Sequence, residues 1–347
     1  MECLQSVRDD ATGKDVVSAG LVSGVVVRGG EVGFLLTIDP AEKDAMEPLR
    51  AACEQAVAAM DGVEKVTAVL TADAPAAAEA PKSQPAQAAQ WNRQPVDGVK
   101  HILAVASGKG GVGKSTTSVC LAYALAAKGL KVGILDADIY GPSIPTMMGL
   151  SGQPDIEGQK MIPARREGIA CMSMGFLVGD DAAILRGPMV TKALNQMLRA
   201  THWGDLDVLV VDMPPGTGDV HLSMAQSVPI SGAVVVTTPQ RVATVDAKKA
   251  IQMFRKTGVP VMGVVENMSY LQDPATGHMA HPFGKGGGDK LAKEMSTLFL
   301  GEIPLEPGLG AAVDEGALTA APEAFNPIAD SVWNQLDMKV KAAAATI

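Results

Sequence analysis

The sequence predicts an α/β fold, a mainly parallel sheet flanked by helices on both faces, preceded by a small α+β domain. Three observations predict it. Short Val/Ile-rich runs at 102–106, 131–135, 208–211, 233–237 and 261–265 alternate with helical stretches across residues 99–340. Near-continuous apolar strands are buried on both faces, as in parallel sheets covered by helices. An Ala/Pro-rich stretch sets the first seventy residues apart from the rest, and such a stretch has little to bury. At 347 residues, 47% hydrophobic and 19% charged, the chain suffices for one large domain and a smaller one. Aromatics make up only 3%, so Val, Ile, Leu, Ala and Met must build the core.

The elements follow in order. Leu21 to Val27 reads as a strand, Gly29-Gly30 as a hairpin turn and Glu31 to Ile38 as the returning strand. A helix is expected from about Ala41, with Pro48 either kinking it or marking its first turn. Met46, Leu49, Cys53, Val57 and Met60 form one apolar stripe along it, and Gly62 ends it. Val63 to Thr71 is a third strand. Residues 1–71 thus make the small domain, 72–98 a linker and 99–347 the large domain. In the large domain a strand at Ile102 to Ala106 runs into a Gly-rich loop. A helix follows from about Lys114 to Lys128, then a strand ending at Asp136.

That loop, Gly108-Lys-Gly-Gly-Val-Gly-Lys-Ser115, lies after a strand and before a helix, the context a phosphate-binding loop requires. Residues Gly108, Lys109, Gly110, Gly111, Val112, Gly113, Lys114, Ser115 and Thr116 are expected to wrap ATP, because glycines let backbone N–H groups converge on phosphate and the helix N-terminus adds positive potential. Lys114 is expected to reach the β/γ-phosphates and Ser115 to ligate Mg2+. Lys109, a second lysine in the loop, is expected to project outward and neutralise charge on the nucleotide of a second subunit. Asp138 is the candidate for polarising the attacking water, and Asp136 for orienting magnesium through water. Val208-Leu-Val-Val-Asp212 is an apolar strand ending in an acid, so Asp212 joins Ser115 and Asp136 in the expected magnesium set. Gly216, in the loop after Asp212, is expected to donate its N–H to the γ-phosphate. Asn267, after the strand Val261 to Val265, is expected to read an adenine edge, since an amide both donates and accepts.

These residues resemble the Mrp/ApbC family of deviant P-loop ATPases, relatives of MinD and ParA. The similarity rests on residues 107–116, 136–143, Arg186-Gly-Pro-Met189, Asp212-Met-Pro-Pro-Gly-Thr-Gly-Asp219, Thr238-Pro-Gln240 and Glu266-Asn-Met-Ser-Tyr270. Residues 1–70 resemble the small iron–sulfur-assembly domain of many bacterial members. The resemblance implies a homodimeric ATPase carrying iron–sulfur clusters to apo-protein clients, with Lys109 acting across the dimer and Asp138 supporting hydrolysis. One departure stands out. Where most of the family has Cys-x-x-Cys, this chain has Asp273 and Thr276. An oxygen pair is a poor soft-metal site. Asp273, His278 and His281 lie within nine residues of one another, but a surface loop is the simpler reading. The alternative function is therefore an ATP-driven dimerisation switch of MinD/ParA type, engaging protein partners without a metal cluster.

The remaining cysteines are Cys3, Cys53, Cys120 and Cys171, with no two within CxxC reach. Cys120 and Cys171 read as core residues. The net charge of −9 argues against nucleic-acid binding. The first fifteen residues carry no apolar signal-peptide region, and residues 332–347 combine two lysines with little apolar bulk. A cytoplasmic protein without membrane attachment is expected.

Overall fold

The computed structural model describes residues 2–8, 15–28, 31–38, 43–60, 62–63, 65–71, 93–139, 141–178 and 187–344. The chain divides into two compact units, Met1–Ala86 and Gln87–Ile347.

The small unit has a 3-10 turn at Glu2–Ser6, strands β1 (Val22–Arg28) and β2 (Glu31–Thr37), helix α1 (Lys43–Ala58) and strand β3 (Lys65–Thr71). β1 pairs antiparallel with β2, and β2 parallel with β3. The parallel pair is possible because α1 carries the chain back across the sheet, as parallel pairing requires. The expected stripe is realised in part. Cys53 and Val57 are buried with Phe34, Leu36 and Ala68, whereas Met60 is exposed. α1 runs through Pro48, so the proline lies inside the helix rather than in its first turn. The expected turn at Gly29-Gly30 and the start of the helix at Ala41 lie outside the described residues.

The large unit opens at residues 93–98, which are already fastened to it. Arg93 donates to the carbonyls of Ala225 and Thr257, the Gln94 N–H donates to Ser227 O at 3.2 Å, and Val96 is buried. Its elements run β4 (Val99–Ser107), α2 (Lys114–Ala126), β5 (Val132–Asp136), α3 (Ile144–Met147), β6 (Ile156–Glu157), β7 (Lys160–Met161), β8 (Ala164–Arg166), β9 (Ile169–Ser173), α4 (Gly175–Val178), α5 (Gly187–Ala200), β10 (Leu206–Asp212) and α6 (Asp219–Ser227). Then come β11 (Gly232–Thr237), α7 (Arg241–Lys256), β12 (Val261–Glu266), β13 (Leu271–Gln272), β14 (Met279–Ala280), α8 (Gly287–Glu294), β15 (Phe299–Glu302), α9 (Pro307–Asp314) and α10 (Asn326–Ala344).

One eight-stranded sheet runs β15-β12-β11-β4-β10-β5-β9-β8. Seven strands are parallel, and only β8 runs antiparallel, closing one edge. From β4 the chain steps over one position to β5, returns to fill the gap with β10, and then continues to β11 on the other side. Order reverses beside β4, and in such sheets ligands lie outside the carboxyl ends of the strands at that reversal. Register fixes which residues meet there. Asp212 is level with Asp136 and Val105, and Ser107 with Val236. β4, β5, β10, β11 and β12 are buried along almost their whole lengths, as their Val/Ile runs require. α2 is buried on nearly all sides, packed on the sheet and against α10, which explains its lack of a polar stripe. Among the described residues no helix is long and apolar enough to cross a membrane.

Candidate functional site

The Gly-rich loop joins β4 to α2 and lines a cavity of about 210 Å³ with Lys109, Lys114, Ser115, Thr116, Asp138, Met147 and Pro215. Its shape is set from both sides. A Cβ on Gly108 would fall 2.0 Å from the backbone carbon of Asp246, so α7 leaves room only for glycine. Gly113 has φ 79°, in the left-handed region, and a Cβ there would meet Asn267 Nδ2 at 2.1 Å.

Four side chains converge at the strand ends. Lys114 Nζ lies 2.7 Å from Asp212 Oδ2, and both are buried. The Ser115 hydroxyl donates to the same oxygen at 2.6 Å, and the Ser118 hydroxyl to Asp212 Oδ1 at 2.6 Å. Asp212 is thus held by one ammonium and two hydroxyls, the partners that a fully buried carboxyl group needs. Ser118 was not singled out by sequence; its signal is its place one helical turn after Lys114.

Asp136 is fully buried on the neighbouring strand. Its Oδ1 accepts the Asp138 N–H at 3.1 Å, and its Oδ2 the Ile144 N–H at 3.2 Å and the Ser173 hydroxyl at 3.0 Å. Burial, and then the nearby Asp212 charge, push its carboxyl above the ordinary range. Through these bonds Asp136 shapes the loop that carries Asp138. Asp138 is half-buried, and burial raises its carboxyl while Lys114 opposes the rise.

Three further residues expected in the site are placed as follows. Asn267 is buried and one of its two Nδ2 hydrogens goes to Val112 O at 3.0 Å, so the amide props the loop, a role its expected reading of an adenine edge did not include. Gly216 has φ 93° and its N–H donates to Ser107 O at 3.0 Å rather than standing open to a phosphate. Lys109 is half-buried and is among the residues that line the phosphate cavity. Arg186 lies outside the described residues.

Sequence reasoning also missed Glu266 as a working group. It is fully buried at the end of β12. Its carboxylate accepts the Gly288 N–H at the start of α8 at 2.5 Å and the Ser269 hydroxyl at 2.7 Å. An anion at a helix N-terminus is favourable there, and it anchors the turn that presents Asn267.

The hairpin β13–β14 is self-contained. Asp273 Oδ1 accepts the N–H groups of Ala275 and Thr276 at 2.8 and 3.0 Å, which hold its carboxyl below the ordinary value. His281 Nδ1 pairs with Ser269 O at 2.9 Å, and His278 is exposed. Among the described residues no three His, Cys, Asp or Glu side chains are grouped to hold a metal. Cys120 and Cys171 are buried, and burial raises both thiols, that of Cys120 to about 12. Neither supplies a thiolate.

The side chains expected to ligate the ion, Ser115 and Asp212, both present oxygen atoms and meet at 2.6 Å, which suits magnesium. The residues present fit that ion.

Comparison with known proteins agrees with this chemistry. Residues 98–338 match the ParA family, described as NUBPL iron-transfer P-loop NTPase, and residues 1–68 match a family described as iron–sulfur cluster assembly protein. An iron–sulfur cluster carrier protein of Synechocystis is 43% identical over 351 residues, covering 98% of this chain and 97% of that protein. The carrier protein of Escherichia coli K12 is 54% identical over 257 residues, covering 71% of this chain and 69% of that protein. A nucleotide-binding protein from Archaeoglobus fulgidus, solved with ADP, is 38% identical and superposes with a TM-score of 0.60 over 66% of this chain and 92% of its own.

Proposed function

We propose, from the premise that this chain belongs to the NUBPL/ParA family of iron-transfer P-loop NTPases, that it binds and hydrolyses ATP as a homodimer and thereby assists iron–sulfur cluster assembly or transfer to apo-proteins. The observation that carries the nucleotide part is the meeting of Lys114 and Ser115 on one oxygen of Asp212, at 2.7 and 2.6 Å, under the Gly-rich loop. Residues 108–116 hold the phosphates through backbone N–H groups, and Lys114 carries the compensating charge. Ser115 and Asp212 are the residues that would hold magnesium, and Asp136 keeps the adjoining loop in shape. Bound there, the ion neutralises charge on the phosphate oxygens. Asp138 orients the water that attacks the γ-phosphorus while the bond to the ADP oxygen breaks. Lys109 of one subunit neutralises charge developing on the nucleotide of its partner. Residues 1–71 serve as a client-facing arm joined to the large unit through the Ala/Pro-rich stretch 72–92.

Isothermal titration with ATP and magnesium tests the site. Lys114→Ala is expected to abolish binding, and tight ATP binding by that variant refutes the assignment. Iron and sulfide content after anaerobic reconstitution, followed by transfer to an apo-acceptor, tests the cargo. Absence of both retained iron and transfer removes the carrier role.

The capped turn at Asp273–Thr276 favours a second reading. In it, ATP-driven dimerisation recruits protein partners and no cluster is carried by this chain. Partner capture that depends on ATP and is indifferent to iron supply supports it, and iron-dependent capture rejects it.

A further inference from the structure

α2 opens Lys114-Ser-Thr-Thr-Ser118, so Lys114 and Ser118 stand one helical turn apart on one face of the helix. α2 packs on β10, the strand that ends at Asp212. Ser118 is fully buried there. Its Oγ lies 2.6 Å from Asp212 Oδ1 and 3.0 Å from the carbonyl oxygen of Lys114. A hydroxyl has one hydrogen to donate, so one acceptor takes it. A serine inside a helix ordinarily gives it to the carbonyl four residues back. That carbonyl is already served by the helical N–H of Ser118 itself, and the carboxyl oxygen is the nearer of the two. The hydrogen therefore goes to Asp212.

The two oxygens of Asp212 are thus held by different kinds of partner. Oδ2 meets Lys114 Nζ at 2.7 Å and the Ser115 hydroxyl at 2.6 Å. Both of those residues line the phosphate cavity. In the ATP reading the phosphates draw on Lys114 and the ion draws on Ser115, so each partner of Oδ2 is shared with the ligand. Ser118 lies deeper, under the first turn of α2, and its bond to Oδ1 is not shared. The backbone of Asp212 is fixed, since β10 runs between β4 and β5 with Asp212 level with Val105 and Asp136. What stays free is rotation of the carboxyl group, a torsion with broad preferences. A bond on Oδ1 removes that freedom and aims Oδ2.

We propose that Ser118 is a positioning residue for the metal-binding half of this site, its hydroxyl holding Asp212 Oδ1 so that Oδ2 stays turned to the phosphate loop while Lys114 and Ser115 engage the nucleotide. It acts through Asp212 and touches neither nucleotide nor ion. The proposal rests on the reading of this site as a magnesium-dependent ATPase, and it assigns work to a residue outside the phosphate loop. Removing a group that orients a metal-holding side chain costs roughly tenfold to a hundredfold in metal affinity. Nucleotide affinity in the absence of metal rests on Lys114 and the loop amides, and should change little. A serine that only fills space under α2 would behave differently: its loss would weaken nucleotide binding equally with and without metal, or leave both untouched.

Two binding measurements on the full chain separate these, and neither needs turnover. Calorimetry with ADP in EDTA reads the nucleotide alone. Titration of the ADP-loaded protein with Mn2+, followed by the paramagnetic resonance of the free ion, reads the metal. We expect Ser118→Ala to weaken Mn2+ by about tenfold or more while the dissociation constant for ADP in EDTA stays within about threefold. Ser118→Cys fills the same space with a weak donor, so it gives the reading even where alanine leaves a void that unfolds the chain, and a similar loss of Mn2+ is expected. Ser118→Thr keeps the hydroxyl and is expected to recover most of the metal affinity. Mn2+ binding unchanged in Ser118→Ala or Ser118→Cys, loss of ADP in EDTA to the same extent as Mn2+, or a threonine variant as weak as the alanine one overturns the proposal. If the unsubstituted protein binds no ADP, the reading of the site falls and this proposal with it; ordinary binding of ADP and Mn2+ in every variant removes the proposal alone.

Discussion

Replacing Asn267 by Ala distinguishes a loop prop from a base reader. In the structure Nδ2 donates to Val112 O at 3.0 Å and sits against Gly113, which has no Cβ to meet it. The substitution removes that donor and leaves the Val112 carbonyl short of a partner in a buried setting. Leaving such a group unpaired costs about 1–3 kcal/mol. The cost falls on the closed form of the loop, the form that presents its amides to phosphate. If all of it is felt in binding, affinity drops by roughly fivefold to a hundredfold, at about 1.4 kcal/mol per tenfold. A prop cannot tell one base from another. Calorimetric titration should therefore show ADP and GDP weakened by the same factor, accompanied by a lower unfolding temperature of the nucleotide-free protein. A change of tenfold or more in the ADP-to-GDP ratio, with the unfolding temperature unmoved, would refute the reasoning and restore the amide as a base reader.

Four other predictions follow from the same geometry. Lys109→Ala should keep nucleotide affinity within a few-fold yet remove the dependence of specific ATPase rate on protein concentration; a retained dependence removes Lys109 from any role between subunits. Asp138→Ala should bind ATP and turn over slowly. Because burial raises this carboxyl and its ionised form is the active one, the acid limb of kcat in the unsubstituted protein should lie above the ordinary aspartate value of 3.8, and a limb at or below that value contradicts the assignment. His221 is neutral when folded down to about 4 but protonates near 6.5 when unfolded. The unfolded chain then binds the extra proton between those values, so stability falls as pH drops from 6.5 towards 4, by up to about 3 kcal/mol from this one group. Denaturant titrations of the unsubstituted protein and His221→Asn across that range should diverge, and parallel curves would contradict it. Arg93→Ala should lose its bonds to Ala225 O and Thr257 O, at about 1–3 kcal/mol for the two carbonyls left behind, and proteolysis at residues 93–98 should accelerate; an unchanged cleavage rate would show that these contacts do not fasten the segment.

The sequence by itself determined the strands and the phosphate chemistry. Both signals are local. A strand buried on both faces must be apolar along its length, and β4, β5, β10, β11 and β12 all are, with observed bounds no more than three residues from those read off the Val/Ile runs. The phosphate loop needs its glycines, Lys114 and Ser115 within eight consecutive positions. The replacement of a cysteine pair by Asp273 and Thr276 was equally plain, since ligand type is a property of single residues. The edge strand β8 was hidden because three residues, Ala164–Arg166, carry too short a pattern to read.

Only the tertiary structure decided how the polar groups pair. Asn267 and Val112 are 155 positions apart, Ser115 and Asp212 97, Ser118 and Asp212 94. Asn267 carries the same amide whether it faces a base or a carbonyl, and Gly216 the same N–H whether it faces a phosphate or Ser107. Which partner each takes depends on the few ångströms that the sheet leaves between strand ends. A buried donor accepts whatever acceptor that packing supplies, because leaving it unpaired costs more than the hydrogen bond itself contributes.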